Sequence, residues 1–146
     1  LNNDLRHARG KPTDGKPLFL KHCGKCHKLY NVGENVGPDL TGENRQDLAA
    51  LLSNIVDPSA VIKSDYIAVV ISTNSGQVIS GLIKSRNANQ IEVVDNQLRI
   101  HMIPLNTIEQ WKVSDTSLMP ADLLKSLTPS EVRDLFSFLQ LTKPMD

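Results

Sequence analysis

The apolar residues of this chain follow a helical period near both ends of the sequence and a strand-like period in the middle. One set recurs at i, i+3, i+4, i+7 and i+8, which predicts an amphipathic helix; its members are Leu48, Leu51, Leu52, Ile55 and Val56. Asp57-Pro58 predicts the end of that helix, because a residue that precedes proline disfavours the helical conformation. A last helix is predicted behind Thr128-Pro129-Ser130-Glu131, which has the form of a capping box.

The segment from about residue 64 to residue 115 has the character of a β-sheet. Tyr66 to Thr73 is rich in β-branched residues, and Asn74-Ser75-Gly76 predicts a turn into a returning strand. Helical segments on either side must meet to bury their apolar faces. We therefore predict a mainly α fold over residues 14–146, with a small antiparallel sheet inserted at about 64–115. Residues 1–13 are polar and are predicted to form a flexible arm.

Composition narrows the classes of function. The 146 residues include 16 basic and 16 acidic side chains, so charge gives no reason to expect a nucleic-acid partner. No apolar stretch approaches the length of a membrane span. The chain begins at Leu1 without a charged and then apolar leader, so we expect any signal peptide to lie outside this sequence.

The two cysteines of the chain lie together in Cys23-Gly24-Lys25-Cys26-His27. This spacing suits covalent attachment of one haem c, in which the thiols add to the two vinyl groups and the histidine becomes the proximal ligand of the iron. Two alternatives remain open. A dithiol redox site usually follows a β-strand, whereas the preceding residues here look helical. A structural zinc site needs a fourth ligand, for which His22 and His101 are the nearest candidates.

A haem iron bound by His27 requires a sixth ligand or leaves an open position. Met119 is the preferred candidate, because it lies in a loop before the last helix and a loop can deliver a thioether without breaking a helix. Met102 shares strand parity with core residues and is expected to be buried. The remaining candidates are Met145, His7, His22 and His101.

Several other residues lie near the motif in sequence or could contact a haem. Pro38 follows at loop distance, and a backbone carbonyl there could accept a hydrogen bond from the His27 ring, which would fix the imidazole tautomer. Trp111 is expected in the core. A cluster of lysines forms either a solvated face or a docking surface for an acidic redox partner; its members are Lys16, Lys21, Lys25 and Lys28.

Taken together, the runs Cys23–His27, Gly37-Pro38-Asp39-Leu40 and Ser117-Leu118-Met119-Pro120 and the terminal helix resemble a mono-haem cytochrome c of the His/Met-ligated class. The resemblance implies that N-terminal and C-terminal helices cross over the haem. It also implies that Cys23 and Cys26 form the thioethers, that Pro38 supplies the carbonyl to His27, and that Met119 is the distal ligand to the iron.

A closer resemblance is to the haem-binding domain family of planctomycetes and verrucomicrobia. It rests on the run from Ile55 to Ile62, on Tyr66, on the glycine-punctuated β segment and on the run around Met119. Domains of that family often end a larger protein with dehydrogenase-like or propeller modules. The long separation of His27 from Met119 departs from the simple class.

The function that follows from this interpretation is electron transfer in the periplasm, without catalysis by the domain itself. The expected keywords are cytochrome c, haem, iron, electron transport and metal binding. The expected partner is a redox protein or a fused dehydrogenase-like domain. The alternative is a haem-based sensor or enzyme that binds a gas or peroxide at an open or weakly held sixth position.

Overall fold

The computed structural model describes all 146 residues, which divide into two compact units. The first unit comprises Leu1–Asp57 and Ala121–Asp146, and the second comprises Pro58–Pro120. The first unit contains four helices and one two-stranded sheet: α1 (Asn2–His7), α2 (Pro12–His22), β1 (Lys28–Leu29), β2 (Val32–Gly33), α3 (Leu48–Val56) and α4 (Pro129–Leu139).

The packing of α2 against α4 forms the core of the first unit. Gly15 of α2 lies directly against the backbone of α4, where an added Cβ would stand 2.0 Å from the carbonyl oxygen of Asp134. One turn further on, the rings of Phe19 and Phe138 pack with their centroids 5.3 Å apart. The absence of a side chain at Gly15 lets the two backbones approach, and the phenylalanine pair fills the space beside the crossing.

The helices predicted by the apolar period are confirmed locally. Asp47 caps α3 by accepting a hydrogen bond from the Ala50 N–H at 3.0 Å. The capping box of α4 is complete: Glu131 N–H donates to Thr128 Oγ1, and Thr128 N–H donates to a Glu131 carboxylate oxygen at 2.8 Å.

The N-terminal residues, for which flexibility is predicted, form α1 and contact α4. The Gly10 N–H donates to Ser137 Oγ at 3.0 Å, and the Lys11 N–H donates to Asp134 Oδ1 at 2.8 Å. Arg133 forms an ion pair with Asp4 at 3.0 Å. These bonds connect the start of the chain to its last helix.

The second unit is a five-stranded antiparallel sheet. Its strands are β3 (Val69–Thr73), β4 (Val78–Arg86), β5 (Gln90–Val94), β6 (Ile100–Pro104) and β7 (Ile108–Val113). They lie in the order β6-β5-β4-β3-β7, so the first four form a meander and β7 returns to pair with β3. Inward positions alternate along the strands, and Ile71, Ile91 and Val93 are fully buried.

The prediction of a mainly α, cytochrome c-like fold with a small inserted sheet is wrong. The chain is rich in β structure: a five-stranded sheet and a two-stranded sheet accompany helices of at most 11 residues. The apolar period showed helices and strands one by one, but it did not show that β7 would close back on β3. No helix of the chain has the length and apolar character needed to cross a membrane.

Candidate functional site

The two cysteines and the histidine form a compact turn at the carboxyl end of α2. Cys23 is the C-cap residue of that helix, and its N–H donates to the Phe19 carbonyl at 2.8 Å. The N–H groups of Cys26 and His27 both donate to the Cys23 carbonyl, at 3.0 and 2.9 Å. Both cysteines are unpaired thiols and half-buried. The backbone therefore holds both sulfurs and the imidazole within one turn.

The environment of the thiols opposes ionisation. Burial, with a smaller contribution from the charge of Cys26, raises the pKa of Cys23 to about 12. Burial also raises the pKa of Cys26, and the positive charge of Lys25 partly offsets this. The negative end of the α2 dipole lies beside Cys23 and disfavours a thiolate there. A dithiol redox site needs a lowered thiol pKa, so this geometry disfavours that alternative.

His27 is oriented by a hydrogen bond to the following loop. Its Nδ1 lies 2.8 Å from the carbonyl oxygen of Pro38. Because a carbonyl only accepts, Nδ1 carries the proton and Nε2 of the neutral ring keeps its lone pair. Burial lowers the pKa of His27, while the bond to Pro38 acts in the opposite direction. The neutral ring with a free Nε2 lone pair is the form that binds a metal.

The loop that carries Pro38 is fixed closely around the imidazole. An added Cβ at Gly37 would stand 2.9 Å from His27 Cε1, so a larger residue would displace the ring or the loop. The Gly37 N–H donates to the Cys26 carbonyl at 2.7 Å, and the Leu40 N–H donates to the Lys28 carbonyl at 2.8 Å. Steric contact with the His27 ring therefore explains why glycine, and no larger residue, precedes Pro38.

Arg45 is a residue of this region that the sequence patterns did not single out. It is only 6% exposed. Its guanidinium donates to the carbonyls of Leu40, Thr41, Leu139 and Leu141 and to the hydroxyl of Tyr30. A lone arginine in a loop has no periodic signal, so only the tertiary contacts identify it.

Met119, the predicted distal ligand, belongs to the second unit. It is half-buried in the loop after β7, and its N–H donates to Ser117 Oγ at 3.1 Å. The structure thus brings together Cys23, Cys26, His27 and Pro38 within the first unit. The pairing of Met119 with His27 stays a prediction.

The other candidate ligands have different environments. Met102, expected to be buried, is 51% exposed on β6. His101 Nε2 lies 2.8 Å from Asp95 Oδ2 and is partly buried. His7 Nδ1 lies 2.7 Å from the Asn3 carbonyl on the surface of α1. Trp111 packs partly buried against the sheet core, with the Arg86 guanidinium 5.6 Å from its ring centroid.

The expected keywords, which classify the chain as a metal-binding cytochrome c, are wrong. No group of three or more His, Cys, Asp or Glu side chains could hold a metal ion, which argues against the zinc alternative, and the mainly α fold that the resemblance implies is not present. Haem attachment poses a different requirement, since the porphyrin ring supplies four nitrogens and the protein supplies only the axial ligands.

Comparison with known proteins adds little to this geometry. No protein-family model matches the chain, and no curated protein matches its sequence. Among solved structures, it is similar to a crystal structure of the pleiotropic translational regulator Hfq, with 22% sequence identity and a TM-score of 0.32. That similarity covers 50% of this chain and 96% of the other.

Proposed function

We propose that Cys23 and Cys26 attach one haem c and that His27 is an axial ligand of its iron. The observation that carries the proposal is the hydrogen bond between His27 Nδ1 and the Pro38 carbonyl. The two free thiols lie in the same turn and directly precede this histidine in the chain. This arrangement supports axial ligation through Nε2.

The thiols have the chemistry that attachment requires. Each would add its S–H across one vinyl group, so that a C–S bond forms, the proton passes to the other vinyl carbon, and no external oxidant is consumed. The turn that begins at Cys23 holds the two thiols close together in the chain, directly before His27.

The loop that carries Pro38 controls the orientation and the basicity of the proposed ligand, His27. The Nδ1–H to carbonyl bond fixes the ring orientation and raises the basicity of Nε2. Because Gly37 has no side chain, the loop leaves room for the His27 ring in this orientation. When bound, the haem would supply an iron that cycles between its ferric and ferrous states.

Electron transfer, rather than catalysis by the chain itself, is the function we infer for this site. The thioether of Met119 is the proposed second axial ligand, which would favour the ferrous state. The proposed partner is a redox protein or a fused dehydrogenase-like domain, and the proposed location is the periplasm, where haem c attachment takes place.

The decisive experiment is expression in the periplasm together with a haem c maturation system, followed by absorption spectroscopy and haem staining of a denaturing gel. We expect one haem that stays with the polypeptide after denaturation. Cys23→Ala and Cys26→Ala should each leave a single thioether, and the double variant should retain no covalent haem. A wild-type protein without covalent haem would overturn the proposal.

The second axial ligand needs a separate test with a matched methionine. Met119→Ala should convert a low-spin ferric spectrum to a high-spin one and open the iron to cyanide or carbon monoxide. Met102→Ala is the control, because that side chain lies exposed on β6. An unchanged spectrum in Met119→Ala would remove Met119 from the ligand set, and a wild type that is already high-spin would favour gas or peroxide binding.

A further inference from the structure

Arg45 is a buried cation whose hydrogen bonds all end on uncharged oxygens. Its five N–H groups meet four backbone carbonyls and one phenol hydroxyl, with Nε at 2.8 Å from the Leu40 carbonyl. A charge removed from water in this way is costly unless every donor is satisfied, and here each donor has an acceptor.

The acceptors of Arg45 come from two separate parts of the first unit. Leu40 and Thr41 lie in the loop that begins at Pro38, whereas Leu139 and Leu141 lie at the carboxyl end of α4. The carboxyl end of a helix carries partial negative charge on its free carbonyls, which stabilises a cation there. Arg45 therefore fastens the loop to α4.

Neighbouring bonds strengthen the same connection. The Tyr30 hydroxyl accepts from Arg45 at 3.1 Å and donates to the Leu141 carbonyl at 2.7 Å. Gln140 Nε2 donates to the Arg45 carbonyl at 3.1 Å, and Gln46 Nε2 donates to the Gln140 carbonyl. Tyr30 itself has a positive φ of 53°, a conformation that a non-glycine residue adopts only where its surroundings hold it.

We propose that Arg45 is a positioning residue for the haem site: it holds the loop from Pro38 to Thr41 against α4, and so holds the carbonyl that orients His27. The path is short. Arg45 bonds the Leu40 carbonyl, the Leu40 N–H bonds the Lys28 carbonyl, and Pro38 bonds His27 from the same loop. A second consequence is electrostatic, because a buried positive charge disfavours the more positive ferric state. This inference rests on the proposed haem site.

The test compares Arg45→Gln, Arg45→Lys and the control Arg133→Gln in the purified protein. Arg133 lies on α4 and pairs with Asp4, away from the loop. Amide hydrogen exchange at Gly37 and Leu40 should accelerate by about tenfold in Arg45→Gln, since charge-assisted bonds to the loop are lost. The amides of Cys23 and Leu135 are the controls and should stay protected. A loss of global stability would instead accelerate the exchange of these two amides as much as that of Gly37 and Leu40.

The reduction potential supplies a readout that a purely structural role would not move. It should fall in Arg45→Gln, remain near the wild-type value in Arg45→Lys, and remain unchanged in Arg133→Gln. If Arg45→Gln does not fold, Arg45→Lys alone decides, because it keeps the charge but loses the planar fork, and its loop amides should still exchange faster than in wild type.

The outcomes separate the two proposals. A protein with covalent haem whose Arg45 variants keep wild-type loop exchange and potential would overturn the role of Arg45 and leave haem attachment intact. A protein without haem would overturn the proposed function, while the exchange of Gly37 and Leu40 would still decide whether Arg45 holds the loop. Uniform acceleration of all amides would also overturn a positioning role.

Discussion

Gly15 lies so close to Asp134 that a Cβ on the glycine would stand 2.0 Å from the Asp134 carbonyl oxygen. The contact joins α2, which ends at the cysteines, to α4, whose carboxyl end meets Arg45. This close approach of two helix backbones therefore links the helix that carries the cysteines to the helix that Arg45 contacts.

Gly15→Ala should destabilise the first unit by roughly 1–3 kcal/mol or more, because the methyl group forces α2 and α4 apart. Chemical denaturation followed by circular dichroism measures the change. Gly42→Ala is the matched control, since nothing lies within 4 Å of a Cβ at that position. Equal stability of the two variants would contradict the close approach.

Thr128→Ala should lower the free energy of unfolding by about 1 kcal/mol, because it removes the side-chain acceptor of the α4 capping box. Ser130→Ala, a change on the same first turn outside the capping box, should alter stability by less than about 0.5 kcal/mol. Thermal unfolding of both variants checks this prediction, and a neutral Thr128→Ala would argue against the cap.

In a chain produced without haem, Cys23 should react slowly with iodoacetamide. A pKa of about 12 in place of 9.0 lowers the thiolate fraction at neutral pH by about a thousandfold. Labelling followed by mass spectrometry gives the rate, with the urea-unfolded chain as the reference. Rapid labelling of Cys23 in the folded chain would restore the dithiol redox alternative.

Asp95→Asn should destabilise the sheet unit at neutral pH. Asp95 is 6% exposed and accepts from the N–H groups of Gln97 and Arg99 and from the side chains of Arg99 and His101. The bond to His101 is the largest cause of its lowered pKa. Urea denaturation followed through the fluorescence of Trp111, the only tryptophan, reports on this unit.

The pH dependence of that effect has a definite sign. A carboxylate whose pKa is lowered in the folded state stabilises the protein above its unfolded pKa, near 3.8, and this stabilisation is lost as pH falls through the lower folded value. The difference between wild type and Asp95→Asn should therefore shrink as pH falls below about 4. Glu109→Gln, the same type of change at an exposed position of β7, is the matched control and should alter the free energy of unfolding by less than about 0.5 kcal/mol.

Local sequence patterns predicted the individual elements well. The apolar spacing from Leu48 to Val56 and the capping box at Thr128 depend on neighbours within one or two turns, so a single sequence reveals them. The fold class was wrong because the extent of the sheet depends on which strands pair. Nothing in the residues from Ile108 to Val113 shows that their partner is β3, more than thirty residues earlier.

The candidate site divides in the same way. The sequence alone identifies Cys23, Cys26 and His27 as candidates, because the spacing of these three residues is typical of haem c attachment. Arg45 could not be found, since its acceptors are distributed over two distant segments. The hydrogen bonds from Gly10 and Lys11 to α4 could not be predicted either, because such bonds leave no mark in composition.

The helices, the strands and the run of two cysteines and a histidine can be predicted from the sequence alone, because they depend on short-range backbone geometry and local spacing. Only the folded chain shows that Gly15 lies against the backbone of α4 and that β7 pairs with β3. Each of these is a contact between residues far apart in the chain, and its energy exists only after the chain has brought them together.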